Sequence, residues 1–241
     1  MGRGRVLVAC PSYAGKEYSL DAWVAGVRAM VYDDDLSAYQ VDNTATSLAY
    51  FERIKATGIE ASHLTPWPDW DRTFLACWRA ILERAQELDA YWVLSMEADN
   101  VIAPEGLGIM VDMALAGNCH LVTHSYPMHK SAAEASGADP ETFFYNELGC
   151  MLMTRQLLAR ALDEYDEFGQ MVVAIEATNE RYMGGRIKLT RRFVVQHLDG
   201  YEMAFQNLGP SEYPGLMYPV ANMPADTGTV LPPSLMEEAA R

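Results

Sequence analysis

Glu97 and Asp99 are the residues whose type and spacing point most directly to chemistry. They stand two positions apart, just after the apolar run Tyr-Trp-Val-Leu-Ser-Met at 91–96, so both carboxylates can face one space. Their charges repel, and a hard divalent cation satisfies both. Mg²⁺ or Mn²⁺ takes oxygen ligands and commonly shares its shell with substrate phosphates. Beside a diphosphate leaving group such a cation supplies Lewis-acid and electrostatic stabilisation. The plainer reading of an acid-x-acid pair is a strand that ends in water, and position in the fold decides between the two.

Other side chains invite similar weighing. Trp67 and Trp70 lie in the loop Thr-Pro-Trp-Pro-Asp-Trp-Asp at 65–71, where aromatic faces stack on bases or sugars, or plug the helix that follows. Arg72, at the start of that helix, can reach phosphate, and Arg72 and Arg79 can equally pair with surface acids. His120, His124 and His129 suggest zinc. On one strand, however, His120 and His124 would lie about 13 Å apart, too far for a single ion.

The elements that must position these groups are legible in outline. Residues 5–10 read as a short buried strand stopped by Pro11, with Pro-Ser-Tyr-Ala-Gly as its loop. Trp23, Val24, Val27 and Met30 follow at helical spacing. A second strand fits 38–41 and ends at Asp42-Asn43-Thr44, a helix fits 47–55, and a third strand fits 59–64. Phe74, Leu75, Trp78, Ile81, Leu82 and Ala85 mark the strongest amphipathic helix. A strand at 91–96 then delivers Glu97 and Asp99, and Pro104 opens a further helix.

The second half is less regular. Strands are expected at 120–124, 148–153 and 187–196, the last ending at His197. A long polar loop is expected at 125–146. Thr154 should cap a helix carrying Leu157, Leu158 and Leu162, and a helix at 174–183 should close at Gly184-Gly185. Alternating strands and helices imply an α/β fold with a mainly parallel sheet covered on both faces. Residues 1–241 read as one domain, with 201–241 as a Pro-rich wrapping tail. Ligands in such sheets bind beyond the C-terminal strand ends, near a topological switch. Those ends are Pro11-Ser12-Tyr13, Asp42-Asn43 and Glu97-Ala98-Asp99.

The 241 residues carry a formal net charge of −15, from 18 Lys and Arg against 33 Asp and Glu. That balance argues against general nucleic-acid binding and against docking on anionic membranes. A patch of Arg186, Lys188, Arg191 and Arg192 reads as a solvated strand edge. No run of about 18 apolar residues is present, and the four cysteines form no Cys-x-x-Cys pair. These features lead us to expect a soluble, cytoplasmic protein with reduced, buried thiols.

This ordered set of strand ends resembles the family-two-like glycosyltransferases of the GT-A fold, over roughly residues 5–200. The resemblance rests on Pro11-Ser12-Tyr13, Asp42, Glu97-Ala98-Asp99, Gly149-Cys150-Met151-Leu152-Met153 and His197. It implies a GT-A-type, Rossmann-like mixed sheet and a nucleotide-sugar donor, most often UDP-linked. It also implies an Mn²⁺ or Mg²⁺ cofactor. Donor contacts are then expected from Pro11, Ser12, Tyr13, Asp42, Asn43, Arg79, Glu97 and Asp99. Metal contacts are expected from Asp99 and His197, with Glu97 at the metal or the ribose. Inverting transfer by direct displacement also needs a base for the acceptor hydroxyl. Glu176 is the first candidate, with Glu180 one turn later and Glu147 as a third acid; a solvated helix face is the competing role.

Glu97 stands where the family has Asp, Asn43 stands where it has a second acid, and its Glu-Asp base pair is not recognisable here. Two other functions fit part of the pattern. A nucleotidyltransferase would carry a Gly-rich basic loop after its first strand, but Pro-Ser-Tyr-Ala-Gly-Lys-Glu-Tyr-Ser has one Gly and one Lys. A non-catalytic nucleotide-sugar-binding protein would keep the fold and hold the donor without transferring it. As acceptor, a glycan, a protein, a small molecule and a modified nucleobase all fit.

Overall fold

The structure is a computed structural model that describes residues 2–124, 126–127, 144–145, 148–190, 195–197 and 229–230. His129, Glu147, Arg191, Arg192 and nearly all of the 201–241 tail lie outside the described residues.

The first strand, β1 (Val6–Ser12), sets the plan. Its side chains alternate faces, as the strand period of two requires. Val6, Val8 and Cys10 enter one apolar layer, and Leu7 and Ala9 enter the other; all five are fully buried. The chain continues through α1 (Leu20–Ala29), β2 (Leu36–Asp42), α2 (Ala49–Ala56) and β3 (Glu60–His63). It then forms α3 (Trp70–Glu87), β4 (Trp92–Ser95), β5 (Asn100–Ile102) and α4 (Gly106–Gly117). Strands β6 (Leu121–His124), β7 (Tyr126–Pro127), β8 (Phe144–Tyr145) and β9 (Met151–Thr154) come next. Helices α5 (Arg155–Asp163), α6 (Tyr165–Phe168) and α7 (Met171–Tyr182) follow. Strands β10 (Ile187–Thr190), β11 (Val195–His197) and β12 (Thr229–Val230) complete the described elements.

Eight of these strands form one sheet in the order β12-β10-β6-β9-β4-β1-β2-β3. Strands β1 to β4, β6 and β10 run in one direction, while β9 and β12 oppose their neighbours. Helices α1, α2 and α4 bury one face against Val6, Val8 and Trp92. Helices α3, α5 and α7 bury the other against Leu7, Ala9 and Val93. The expected mixed, mainly parallel sheet with helices on both faces is therefore present.

Local chemistry explains where the elements begin and end. Asp69 caps α3, its carboxylate accepting from the backbone N–H groups of Asp71 (3.0 Å) and Arg72 (3.4 Å). Thr154 caps α5 as expected, its hydroxyl accepting from Leu157 N–H at 3.3 Å. Gly184 and Gly185 close α7 at φ of 82° and 69°, a region where a side chain would be strained.

Four expectations are corrected. Strand β1 does not stop at Pro11 but runs to Ser12. Pro11 lies past the end of the β4 pairing and has only β2 beside it, so its missing N–H disrupts no central ladder. The loop after β1 holds a 3₁₀ turn, Ala14–Ser19. The strand expected at 148–153 begins as a 3₁₀ turn, Leu148–Cys150. There the carbonyls serve the acidic loop: Leu148 O accepts from the Ser95 hydroxyl, and Gly149 O from Asn100 Nδ2 at 3.1 Å. Finally, the strand expected at 187–196 divides. Its first part joins the main sheet beside β6, and its second pairs antiparallel with β5, an element the sequence reading lacked.

Candidate active site

From β1 the chain moves outward in one direction to β2 and β3, whereas β4 lies on the other side of β1. This is the topological switch point, and a cleft opens there at the C-terminal strand ends. It holds roughly 600 Å³ of space, including solvent at its mouth. One wall is the end of β1 with Tyr13 and Lys16; another is Glu97-Ala98-Asp99. The third comes from α3, where Trp70 stacks on Phe74 (6.0 Å between ring centres) and Phe74 meets Trp78 edge-on (6.2 Å). Ring faces beside carboxylates suit a ligand with a flat apolar end and a charged end.

The acidic loop is held from below. Trp23 on α1 is fully buried, and its indole N–H donates to Met96 O at 3.0 Å. Asn100 N–H donates to Glu97 O at 2.9 Å, closing a turn across the two acids. Asp99 is 2% exposed, and its Oδ2 accepts from the Lys16 ammonium and from the Tyr18 hydroxyl (3.2 Å). Burial pushes the Lys16 pKa down, but the charge and hydrogen bond of Asp99, with Glu97 and Tyr13, outweigh it and leave it raised. Cys10 also lines the cleft. Burial, then Glu97 and Asp99, push its thiol well above the ordinary range, so it is not a thiolate.

The donor set suits a hard divalent cation. Two carboxylates reach one cleft, and the buried one already holds a positive charge in the form of Lys16. Among the described residues no cluster of three or more His, Cys, Asp or Glu surrounds a single point. His197 enters by backbone register: it pairs with Asn100 across β11 and β5, one residue along from Asp99.

The other expected residues divide. Pro11, Ser12, Tyr13 and Asn43 line the cleft with Glu97 and Asp99. Ser12 is tied to Tyr50, hydroxyl to hydroxyl, at 2.7 Å. Asp42 is not brought to the cleft wall. It is fully buried, with Oδ1 accepting from Thr44 N (3.1 Å) and Thr44 Oγ1 (2.6 Å), and Oδ2 set 2.7 Å from His63 Nδ1. Because Thr44 Oγ1 also accepts from Ala14 N at 2.9 Å, Asp42 braces the loop that carries Lys16. Arg79 is exposed and does not line the cleft. Arg72 lies over the Trp67 ring at 5.1 Å, and Trp67 also stays off the cleft wall.

His120 Nδ1 lies 3.2 Å from Thr154 Oγ1, and Arg186 donates to Gly117 O at 3.3 Å. The sequence reading passed over Lys16, Phe74 and Trp78 as site residues. For Lys16 a signal existed, as the single basic side chain in the loop after strand one. Phe74 and Trp78 read as core because their spacing is that of a buried helix face. Trp78 is 1% exposed, yet its indole N–H has no acceptor among the described residues.

Neither Glu176 nor Glu180 lines the cleft. Glu180 is exposed on α7, whereas Glu176 is half-buried and burial raises its pKa above the ordinary 4.5. The folded chain therefore holds the Glu176 proton more tightly than the unfolded chain. The associated stability is fully present below the unfolded value and is lost as pH rises through the raised one. Glu176→Gln, which mimics the protonated acid, is expected to melt higher than wild type at pH 7. That advantage should vanish below about pH 4, as followed by thermal denaturation across pH.

The sheet order and the cleft at its switch point define the GT-A type of α/β fold, the architecture of a large class of glycosyltransferases. No protein-family model matches the sequence, and no curated protein sequence does. Solved structures of similar fold are numerous. A mannosyltransferase from Pyrobaculum calidifontis, solved with GDP-Man and Mn²⁺, aligns with a TM-score of 0.55 at 17% identity. The alignment covers 84% of this chain but 59% of that one, so this chain matches less than two thirds of that enzyme. Glucosyl-3-phosphoglycerate synthase from Mycobacterium tuberculosis, solved with Mn²⁺, UDP-glucose and phosphoglyceric acid, aligns with a TM-score of 0.56 at 17% identity, covering 82% of this chain and 72% of that one. A further mycobacterial protein aligns at 0.56 and 18% identity, over 82% of this chain and 68% of that one. The likeness is one of fold. Among the described residues no helix is long and apolar enough to cross a membrane.

Proposed function

We propose that the protein is a metal-dependent glycosyltransferase that takes its sugar from a nucleoside diphosphate sugar, with UDP as the nucleotide. The observation that carries this reading is Asp99: a buried carboxylate at the switch-point end of β4, holding a cation and sharing the cleft with Glu97. In the solved structures of similar fold, the bound ligands include Mn²⁺ with GDP-Man and Mn²⁺ with UDP-glucose.

In this reading Asp99 and His197 hold the metal, with Glu97 at the metal or the ribose. When bound, the metal supplies positive charge that stabilises the departing diphosphate. Tyr13 and the Trp70–Phe74 wall hold the base between ring faces. The Trp78 indole N–H is a donor for a ligand carbonyl. Asn43 and Ser12 line the same side. In the transfer, an acceptor hydroxyl oxygen bonds to the anomeric carbon. The bond from that carbon to the β-phosphate oxygen breaks, and the nucleoside diphosphate leaves with the electron pair. The hydroxyl proton goes to a base, for which Glu176, half-buried on α7, and Glu180 one turn later are the candidates carried from the sequence, although neither lines the cleft.

The test is turnover of UDP-glucose, UDP-galactose and GDP-mannose with Mn²⁺, followed by NMR of the anomeric carbon and by nucleotide release. Metal-dependent release of UDP, with inversion at the anomeric carbon, supports the reading. Tight binding without release by any donor would make the protein a binder rather than a transferase.

A further inference from the structure

Among the described residues lining the cleft, Lys16 is the one basic residue, and its ammonium sits on Oδ2 of Asp99, the carboxylate that would hold a metal. Its backbone is pinned. Lys16 N–H donates to Tyr13 O at 2.8 Å, the Ser19 hydroxyl donates to Lys16 O at 2.7 Å, and Ala14 N is held by Thr44. The side chain, 30% exposed on a flexible four-carbon stem, is the part able to move. Two cations drawn to one buried carboxylate repel each other.

With both carboxylates ionised, Glu97, Asp99 and Lys16, the charged side chains among the described residues lining the cleft, sum to one negative charge. A divalent cation alone would overshoot to one charge positive, with Lys16 displaced and without a partner. A diphosphate restores the balance and gives the displaced ammonium two phosphate groups to hold.

We propose that Lys16 is an internal counter-ion of Asp99 that the metal displaces onto the donor's diphosphate, so that metal and nucleotide bind cooperatively. This rests on the donor-site reading above. Lys16 is thus a positioning residue for the metal and a contact for the donor. Linkage makes the effect reciprocal: UDP tightens Mn²⁺ by the factor by which Mn²⁺ tightens UDP.

The experiment is a titration of Mn²⁺ alone, followed by electron paramagnetic resonance of the free ion, on wild type, Lys16→Met, Lys16→Arg and Asp99→Asn. It is then repeated with saturating UDP. Thermal melting and circular dichroism confirm that each variant is folded. Wild type is expected to bind Mn²⁺ weakly and to gain on the order of 5- to 150-fold from UDP. Lys16→Met should bind Mn²⁺ alone roughly tenfold tighter and lose most of the gain from UDP. Lys16→Arg, which keeps the charge, should stay near wild type. A folded Lys16→Met with unchanged or weaker Mn²⁺ affinity would overturn the hand-over; loss of Mn²⁺ binding in Asp99→Asn would then still support the donor site. Absence of Mn²⁺ binding in every protein, with and without UDP, would overturn both.

Discussion

Asp99→Asn is expected to abolish Mn²⁺-dependent nucleotide binding and to lower sugar transfer by on the order of 10²- to 10³-fold, the usual effect of removing one group that stabilises developing charge. The substitution keeps the size and planarity of the side chain but removes its charge. Asp99 is buried, so water cannot replace the lost anion as it would at a surface. The fold itself should persist, because Trp23 and Asn100 hold the loop independently of the carboxylate. Isothermal calorimetry with UDP and Mn²⁺, alongside a melting curve, separates loss of the site from loss of the fold. A variant that bound Mn²⁺ and UDP like wild type would remove Asp99 from the metal site.

The largest effect on stability is expected at Trp23. Its ring is fully buried in the layer that joins α1 to β1 and β4, and truncation to Ala should cost about 3–5 kcal/mol. Trp23→Phe isolates a second role. It keeps most of the packing but removes the N–H that donates to Met96 O, for a loss of about 1 kcal/mol. Met96 directly precedes Glu97, so this milder variant should also weaken nucleotide binding. Urea denaturation measures the first effect, and calorimetry on the folded Trp23→Phe protein measures the second. If nucleotide affinity were unchanged in Trp23→Phe, the bond would be structural only.

Much of this site was legible in the residues, because its main parts follow strong local signals. The Val-rich run at 6–8 and the apolar run at 91–96 mark buried strands, and the chain must exit each into a loop. Those exits carry Pro11-Ser12-Tyr13 and Glu97-Ala98-Asp99, which the fold brings to one cleft. Helix α3 was readable from its apolar stripe. What escaped depends on contacts distant in sequence. The pairing of β5 with β11 joins three-residue strands too short to show a period. The 3₁₀ turn at Leu148–Cys150 exists because the acidic loop uses its carbonyls, a demand that Leu-Gly-Cys does not announce. Asp42 was expected at the base or ribose from its place after β2. Its partners Thr44 and His63 draw it inward, and only the folded chain shows that. Lys16 reached Asp99 across 83 positions of sequence, through a loop that looked merely polar.

The central claim is that the switch-point cleft holds a nucleoside diphosphate through a divalent cation. Calorimetric titration of UDP into the full chain, once with Mn²⁺ and once with the metal chelated, tests it most directly. Saturable binding of UDP with Mn²⁺ that disappears on chelation is the predicted result. Failure of UDP, GDP and the other nucleoside diphosphates to bind with Mn²⁺ or Mg²⁺ present would contradict it.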